Sequence, residues 1–243
     1  MKPFLILQIR PIDEASDDEY AAFLKYSGLQ EQQTHRIRME KSGIPDISLE
    51  DYSGIILGGG PSNVSDPPVE KSENQKRFES DLNRILEQVF KTDFPFLGVC
   101  YGMGALAMHR GGIVARDRYS EAVGTAQISL TEAGSADKLL EGIPEEFTAY
   151  CGHKEACQAL PPGAVLLAES DVCPSQMIRF QSNIYATQFH VELDEQGIQL
   201  RIDVYKNHGY FKPEDAEKLI REMSGSNVVH PERILQRFVE IYR

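Results

Sequence analysis

The sequence predicts a doubly wound α/β fold with a mainly parallel sheet and a helical C-terminal extension, and three observations carry that prediction. Up to about residue 112, short apolar runs alternate with stretches of helical periodicity, the pattern of right-handed βαβ units with helices on both sheet faces. Two of the apolar runs end in glycine-rich turns, Gly58-Gly59-Gly60 and Gly98-x-Cys100-x-Gly102, where an open α/β sheet places its ligand crevice. From Asp194 onward the periodicity is helical.

Taken in order, residues 4–9 read as a buried first strand, and residues 17–26 as a helix stopped near Gly28. Residues 34–39 alternate weakly as a second strand. The third, residues 55–57, runs directly into the loop from Gly58 to Asn63. Residues 69–91 form an amphipathic helix with Phe78, Leu82, Ile85, Leu86 and Val89 on one face. Phe96, Leu97 and Val99, preceded by Pro95, suit a buried fourth strand. Ala105 to Met108 are helix formers ended by Gly111-Gly112.

Beyond that point the pieces are shorter and strand-like, at 125–130, 147–150, 164–168, 177–180 and 184–190, with a small helix at 136–141. Helices at 196–205, 213–223 and 231–242 follow, separated by Gly209 and Gly225-Ser226-Asn227. The expected division is a main domain of residues 1–193 with residues 194–243 as a helical extension packed on it.

Composition narrows the function classes. The chain has 243 residues, 41% hydrophobic and 26% charged, with 25 basic against 37 acidic side chains and a net charge of −12. So acidic a chain lacks the concentrated basic face that phosphate neutralisation requires, which argues against a nucleic-acid partner. No apolar run is long enough to span a bilayer, and the first apolar run passes into Arg10 and an acidic stretch rather than a signal-peptide cleavage site. The four cysteines lack C-x-x-C spacing, so neither a zinc site nor a redox pair is expected, and a reducing cytoplasm fits best.

Chemistry concentrates at Cys100. A cysteine between two glycines, at the bend from a buried strand into a helix, has the form of a nucleophile elbow with a thiol in place of the hydroxyl. Glycine neighbours let strand and helix approach, and the helix N-terminus favours negative charge on the sulfur. A working cysteine also needs a base, an orienting group and oxyanion donors. His190 closes a strand-like run and Glu192 follows two positions on, where extended backbone puts both side chains on one face. The glycine loop lacks the residues of a nucleotide P-loop, and its exposed N–H groups, with that of Tyr101, suit a two-donor oxyanion hole.

The three stretches GGGPSN, GVCYGMG and QFHVE, in that order, resemble the signatures of class I (triad) glutamine amidotransferases, particularly the amidotransferase domain of GMP synthetases and its free-standing relatives. The resemblance covers about residues 1–193 and implies a flavodoxin-like fold. It implies Cys100 as nucleophile, His190 as base and Glu192 as its orienter, with Gly60 and Tyr101 as oxyanion donors. The substrate-contacting positions would be Gly59, Pro61, Gly104, Gly152 and His153. No cofactor or metal is implied.

Three departures stand out. Gly104 occupies the place of a family glutamine, Lys154 that of a glycine in the Ser-His-Gly-Asp loop, and Val191 that of the proline in His-Pro-Glu. The implied activity is hydrolysis of the glutamine side-chain amide through a γ-glutamyl thioester. Its ammonia would feed a separate synthetase chain, since this sequence carries no synthetase motif. Gly104 and Lys154, read as opening the pocket, favour an alternative hydrolase of γ-glutamyl amides or peptides. A non-catalytic binding or regulatory module is the third reading.

Other candidates have plainer expected roles. His153 lines the pocket rather than acting as base, with Glu155 its only carboxylate at matching spacing. His109 complements a helix C-terminus, Cys151 and Cys173 fill the core, and Asp13 to Glu19 form a solvated helix start. Tyr205, Tyr210 and Phe211 form the surface by which the C-terminal helices pack on the domain.

Overall fold

The computed structural model describes residues 2–243. In chain order its elements are β1 (Phe4–Gln8), α1 (Asp13–Ser27), β2 (Thr34–Arg38), α2 (Met39–Ser42), β3 (Gly54–Leu57), α3 (Glu73–Thr92), β4 (Phe96–Val99) and α4 (Tyr101–His109). There follow β5 (Val114–Ala115), β6 (Glu121–Leu130), α5 (Glu132–Ser135), β7 (Glu146–His153), β8 (Ala156–Cys157), β9 (Ala164–Glu169), β10 (Met177–Phe180) and β11 (Ile184–Thr187). Three helices close the chain: α6 (Glu195–Tyr205), α7 (Ala216–Met223) and α8 (Pro231–Tyr242).

Nine strands make one sheet in the order β2-β1-β3-β4-β11-β10-β9-β6-β7. The pairings from β2 to β11 are parallel, and those beyond β11 are antiparallel. Following the directions across, β10 and β6 oppose the other strands, so the sheet is mostly parallel, as the alternating pattern predicts. β5 and β8 pair separately.

Pleating sorts the core. Leu5 and Leu7 of β1 face a layer with Phe78, Leu82 and Leu106 from α3 and α4, while Phe4 and Ile6 face Phe23 and Phe238 from α1 and α8. Phe238 meets Phe4 edge-on at 6.2 Å. The last helix therefore completes one face of the sheet.

Boundaries shift where capping chemistry decides them. The first helix begins at Asp13 rather than 17; Asp13 is anchored by Arg38 and by Lys41 at 2.6 Å, and Gly28 ends the helix at φ 72°. Not all of that acidic stretch is solvated: Glu19 is buried and holds Arg10. α3 starts at Glu73 rather than 69, because the Ser72 hydroxyl accepts from the Gln75 N–H at 3.1 Å. The helix expected at 136–141 is instead α5, capped by Thr131, followed by a 3-10 turn at Lys138–Leu140 capped by Asp137. β11 ends at Thr187 rather than 190, and His190 makes an isolated bridge to Tyr150.

Candidate active site

The sharp bend after β4 presents Cys100. Its backbone sits at φ 52° and ψ −93°, a conformation that non-glycine residues rarely adopt, and its N–H donates to Thr187 O at 2.7 Å. A Cβ on Gly98 would stand 2.9 Å from the Gly102 backbone, so the G-x-C-x-G pattern is what lets strand and helix cross here. Cys100 is half-buried.

The glycine loop after β3 lies against it. A Cβ on Gly59 would come within 3.0 Å of the His190 ring and 3.3 Å of Cys100 Cβ. One on Gly60 would strike Ile9 at 2.5 Å. Side chains are thus excluded where the loop backbone faces the sulfur. The N–H of Tyr101 is the first of α4, one of the donors a helix start leaves without an internal acceptor.

His190 and Glu192 arrive from the end of β11. Nδ1 of His190 lies 2.8 Å from Glu192 Oε1, as the i, i+2 spacing predicts, and both are buried. Burial disfavours charge on the imidazole. The negative charge of Glu192, its hydrogen bond to the ring and the neighbouring Cys100 sulfur outweigh it, raising His190 to about 9. Burial also opposes charge on Glu192, yet the imidazole and the guanidiniums of Arg201 and Arg10 hold it well below the usual carboxylate range.

A second layer of charge supports the pair. Arg201 of α6 donates from Nη1 to Asp18 at 2.9 Å and places Nη2 3.7 Å from Glu192 Oε1. Arg10 donates to Glu19 at 2.7 Å, and Gln8 donates to the other Glu19 oxygen at 2.8 Å. Neither Arg10 nor Arg201 is singled out by motif. Arg201 does leave a trace: it is a cation within the buried α6 stripe of Ile198, Ile202 and Tyr205.

His153 has its ring nitrogens engaged away from the sulfur. Its Nε2 lies 2.7 Å from Glu121 Oε2 on β6 and its Nδ1 3.0 Å from the Glu155 carbonyl, so both nitrogens are engaged. Its carboxylate partner is Glu121 rather than Glu155, whose own oxygens accept from the N–H groups of Val64 and Ser65 at 2.7 and 2.9 Å. Glu121, His153 and Cys173 bring ligand-type atoms within 4.8 Å of one another, a spacing that could hold a metal ion. Glu121 also accepts from Gln176 and Ser170, which makes the group a hydrogen-bonded cluster as it stands. His109 stacks on Phe90 at 5.4 Å, and burial with Arg110 nearby pushes its pKa down, so it is poorly suited to complement a helix dipole with charge.

Two cavities flank Cys100. One is polar, lined by Gly60, Ser62, Asn63, Tyr101, Gly104, Gly152, His153, Lys154, Glu155 and Gln188. The other is mainly apolar and reaches His190; its walls include Val123, Leu193, Ile198, Ile202, Tyr205 and Phe211 together with Arg10 and Arg201. Gly60, Gly152 and Tyr210 border both, while Gly59 and Pro61 line neither.

Two expectations are corrected at the polar cavity. Gly104 does not open it, because a Cβ there would stand 2.9 Å from Val64 Cγ2: Val64 fills the space. Lys154 does not open it either. Its ammonium lies 4.1 Å from the Tyr210 ring centre and donates to His208 O at 2.7 Å, while the Tyr210 hydroxyl donates to Gly60 O at 3.3 Å. Tyr205, Tyr210 and Phe211 are therefore cavity wall as well as packing surface.

Fold and site together define a doubly wound α/β protein with a cysteine elbow and a buried His-Glu pair beside it. The chain belongs to the class I glutamine amidotransferase family, whose model matches residues 23–214. It is 30% identical over 189 residues to one subunit of the glutamine-hydrolysing GMP synthase of Thermococcus kodakarensis, covering 76% of this chain and 86% of that one. It is 34% identical over 158 residues to the GMP synthase of Latilactobacillus sakei, covering 65% of this chain and 27% of that protein. The chain thus spans about a quarter of the length of the full GMP synthases that it matches. A glutamine amidotransferase of Thermotoga maritima shares the fold, with a TM-score of 0.77, 20% identity and 99% of both chains covered. Among the described residues no helix is long and apolar enough to cross a membrane.

Proposed function

We propose that the protein hydrolyses the side-chain amide of glutamine by a cysteine-dependent acyl transfer. Cys100 is the nucleophile, His190 the proton carrier and Glu192 the residue that orients and charges it. The observation that carries this reading is the approach of Cys100, the hydrogen-bonded His190–Glu192 pair and the glycine loop at one cavity.

The thiol proton passes to His190, and the sulfur attacks the amide carbon. The N–H groups of Gly60 and Tyr101 receive the developing oxyanion, a term usually large in acyl transfer. The C–N bond breaks as His190 gives its proton to the leaving nitrogen, and a γ-glutamyl thioester remains. Water, deprotonated by His190, then releases glutamate and the thiol. The raised His190 pKa suits a ring that must hold a proton between these steps.

Gly104, Gly152 and His153 border the polar cavity beside Cys100, where they would contact the substrate. The similarity to a GMP synthase that is built from subunits makes a separate synthetase chain the proposed consumer of the ammonia. The test is ammonia release from glutamine, with labelling of Cys100 by a glutamine-like electrophile. Both are expected in the native chain and lost in Cys100→Ala; a native chain that neither releases ammonia nor takes the label would exclude the reading and leave a binding module.

A further inference from the structure

Three side chains of metal-ligand type converge in the antiparallel part of the sheet. Glu121 comes from β6, His153 from the end of β7 and Cys173 from the loop between β9 and β10. All three side chains are buried, and their ligand atoms lie within 4.8 Å of one another. Around a tetrahedral zinc ion such atoms stand about 3.4–3.6 Å apart. To reach that geometry the 2.7 Å contact between His153 Nε2 and Glu121 opens by about 0.7 Å, and the sulfur closes in by at most about 1.2 Å.

The surroundings are those of a ligand set. Both ring nitrogens of His153 face acceptors, Nδ1 the Glu155 carbonyl at 3.0 Å and Nε2 the Glu121 carboxylate. Nδ1 therefore carries a proton, and Nε2 is left as the nitrogen for a metal, its aim fixed by a backbone carbonyl. Glu121 is steadied from behind by the Ser170 hydroxyl at 3.1 Å and by Gln176 Nε2 at 2.6 Å. Among the described residues Glu121 has no lysine or arginine partner. Its counter-charge is the proton shared with His153, the place that a divalent cation takes. Gln176 is fully buried, and while its Nε2 serves Glu121 and Ser170, its Oε1 has no hydrogen-bond partner among the described residues. A water held on the metal supplies that missing donor.

We propose that Glu121, His153 and Cys173 bind one zinc ion, with water in the fourth position. Thiolate, imidazole and carboxylate together select zinc over magnesium or calcium. On binding, the proton at Nε2 and the thiol proton pass to solvent, and bonds to the metal replace them. The cavity between β6 and α7, bordered by Glu121, Cys151, Ser170, Leu219 and Met223, is the way in. The ion fastens β6 and the loop before β10 to the end of β7, where Gly152 and His153 border the polar cavity.

Cys100 and His190 also offer zinc a thiolate and an imidazole, so the test uses the full chain carrying Cys100→Ala, stripped with a chelator. Calorimetry with zinc chloride is expected to show one equivalent bound, and cobalt(II) in its place should give a sulfur-to-cobalt charge-transfer band. Adding Cys173→Ser should abolish that band. Adding Glu121→Gln or Gln176→Ala should weaken zinc binding by about tenfold to a hundredfold. A band that survives Cys173→Ser reports another thiol and overturns the proposal, as does zinc affinity unchanged by Glu121→Gln. Where a variant does not fold, the Cys100→Ala chain decides alone: zinc, and not magnesium, must raise its unfolding temperature. Zinc that does not bind, or cobalt bound without the sulfur band, overturns the proposal and leaves the acyl-transfer reading standing, since that reading rests on Cys100.

Discussion

Lys154 holds Tyr210 against the glycine loop: the ammonium caps the tyrosine ring at 4.1 Å, bonds the carbonyl of His208, and leaves the phenol to donate to Gly60. The segment that follows α6 is thereby fastened beside Cys100. A cation–π contact and a charge-assisted hydrogen bond are each worth about 1 kcal/mol in such partly exposed places. Lys154→Ala should therefore speed alkylation of Cys100 by iodoacetamide about three- to tenfold. An unchanged rate would mean that the segment does not screen the sulfur.

Glu192 is buried against His190 and supplies both its orientation and much of its charge stabilisation. Glu192→Gln keeps the shape and removes the charge. Ammonia release is expected to fall by about 10²–10⁴, the range seen when a base loses its orienting carboxylate. Far-ultraviolet circular dichroism should show the fold retained.

The same pair has a pH signature. His190 titrates higher in the folded chain, at about 9, than an ordinary histidine, so folding takes up a proton. Its stabilising contribution is complete below the ordinary histidine value and is lost as pH rises through about 9. The stability gap between the native chain and His190→Gln, on the order of 2 kcal/mol near neutrality, should shrink between pH 7 and 10. Denaturant unfolding across that range measures it, and a gap that widens with pH would contradict the assignment.

Gly104 and Val64 share one space. Gly104→Ala should destabilise the chain by about 1–2 kcal/mol through overpacking, and Val64→Ala in the same chain should return part of that loss. Thermal unfolding of the two single variants and the double variant provides the cycle. Strict additivity would show that the side chains do not compete.

Much of this molecule is legible in its letters, for identifiable reasons. Cys100 is visible because the elbow needs Gly98 and Gly102 in fixed positions; the His190–Glu192 contact is foreseen from their two-residue spacing, although the chain bends at Val191 and Glu192 rather than running extended. The alternating elements up to α4 follow from periodicity. What stays hidden depends on contacts between distant segments. Glu121 is separated from His153 by 32 positions, and Arg201 from Asp18 by 183. Gly104 misleads because a missing side chain looks like vacant space, and only the fold shows Val64 occupying it. Lys154 misleads in the same way, since the ring that it caps lies 56 positions on, in a stretch without periodicity.

The wall contributed by α6 and the turn beyond it has a consequence for how such a molecule can change. Cys100 and the glycine loop are set by tight approaches after β3 and between β4 and α4, where an added Cβ collides. Ile198, Ile202, Tyr205 and Phe211 border the same sulfur from α6 and the turn beyond it. That stretch also carries Arg201, which stands beside Glu192, and Tyr210, which bonds the glycine loop, so a change there reaches the His190 pair as well as the wall of its cavity.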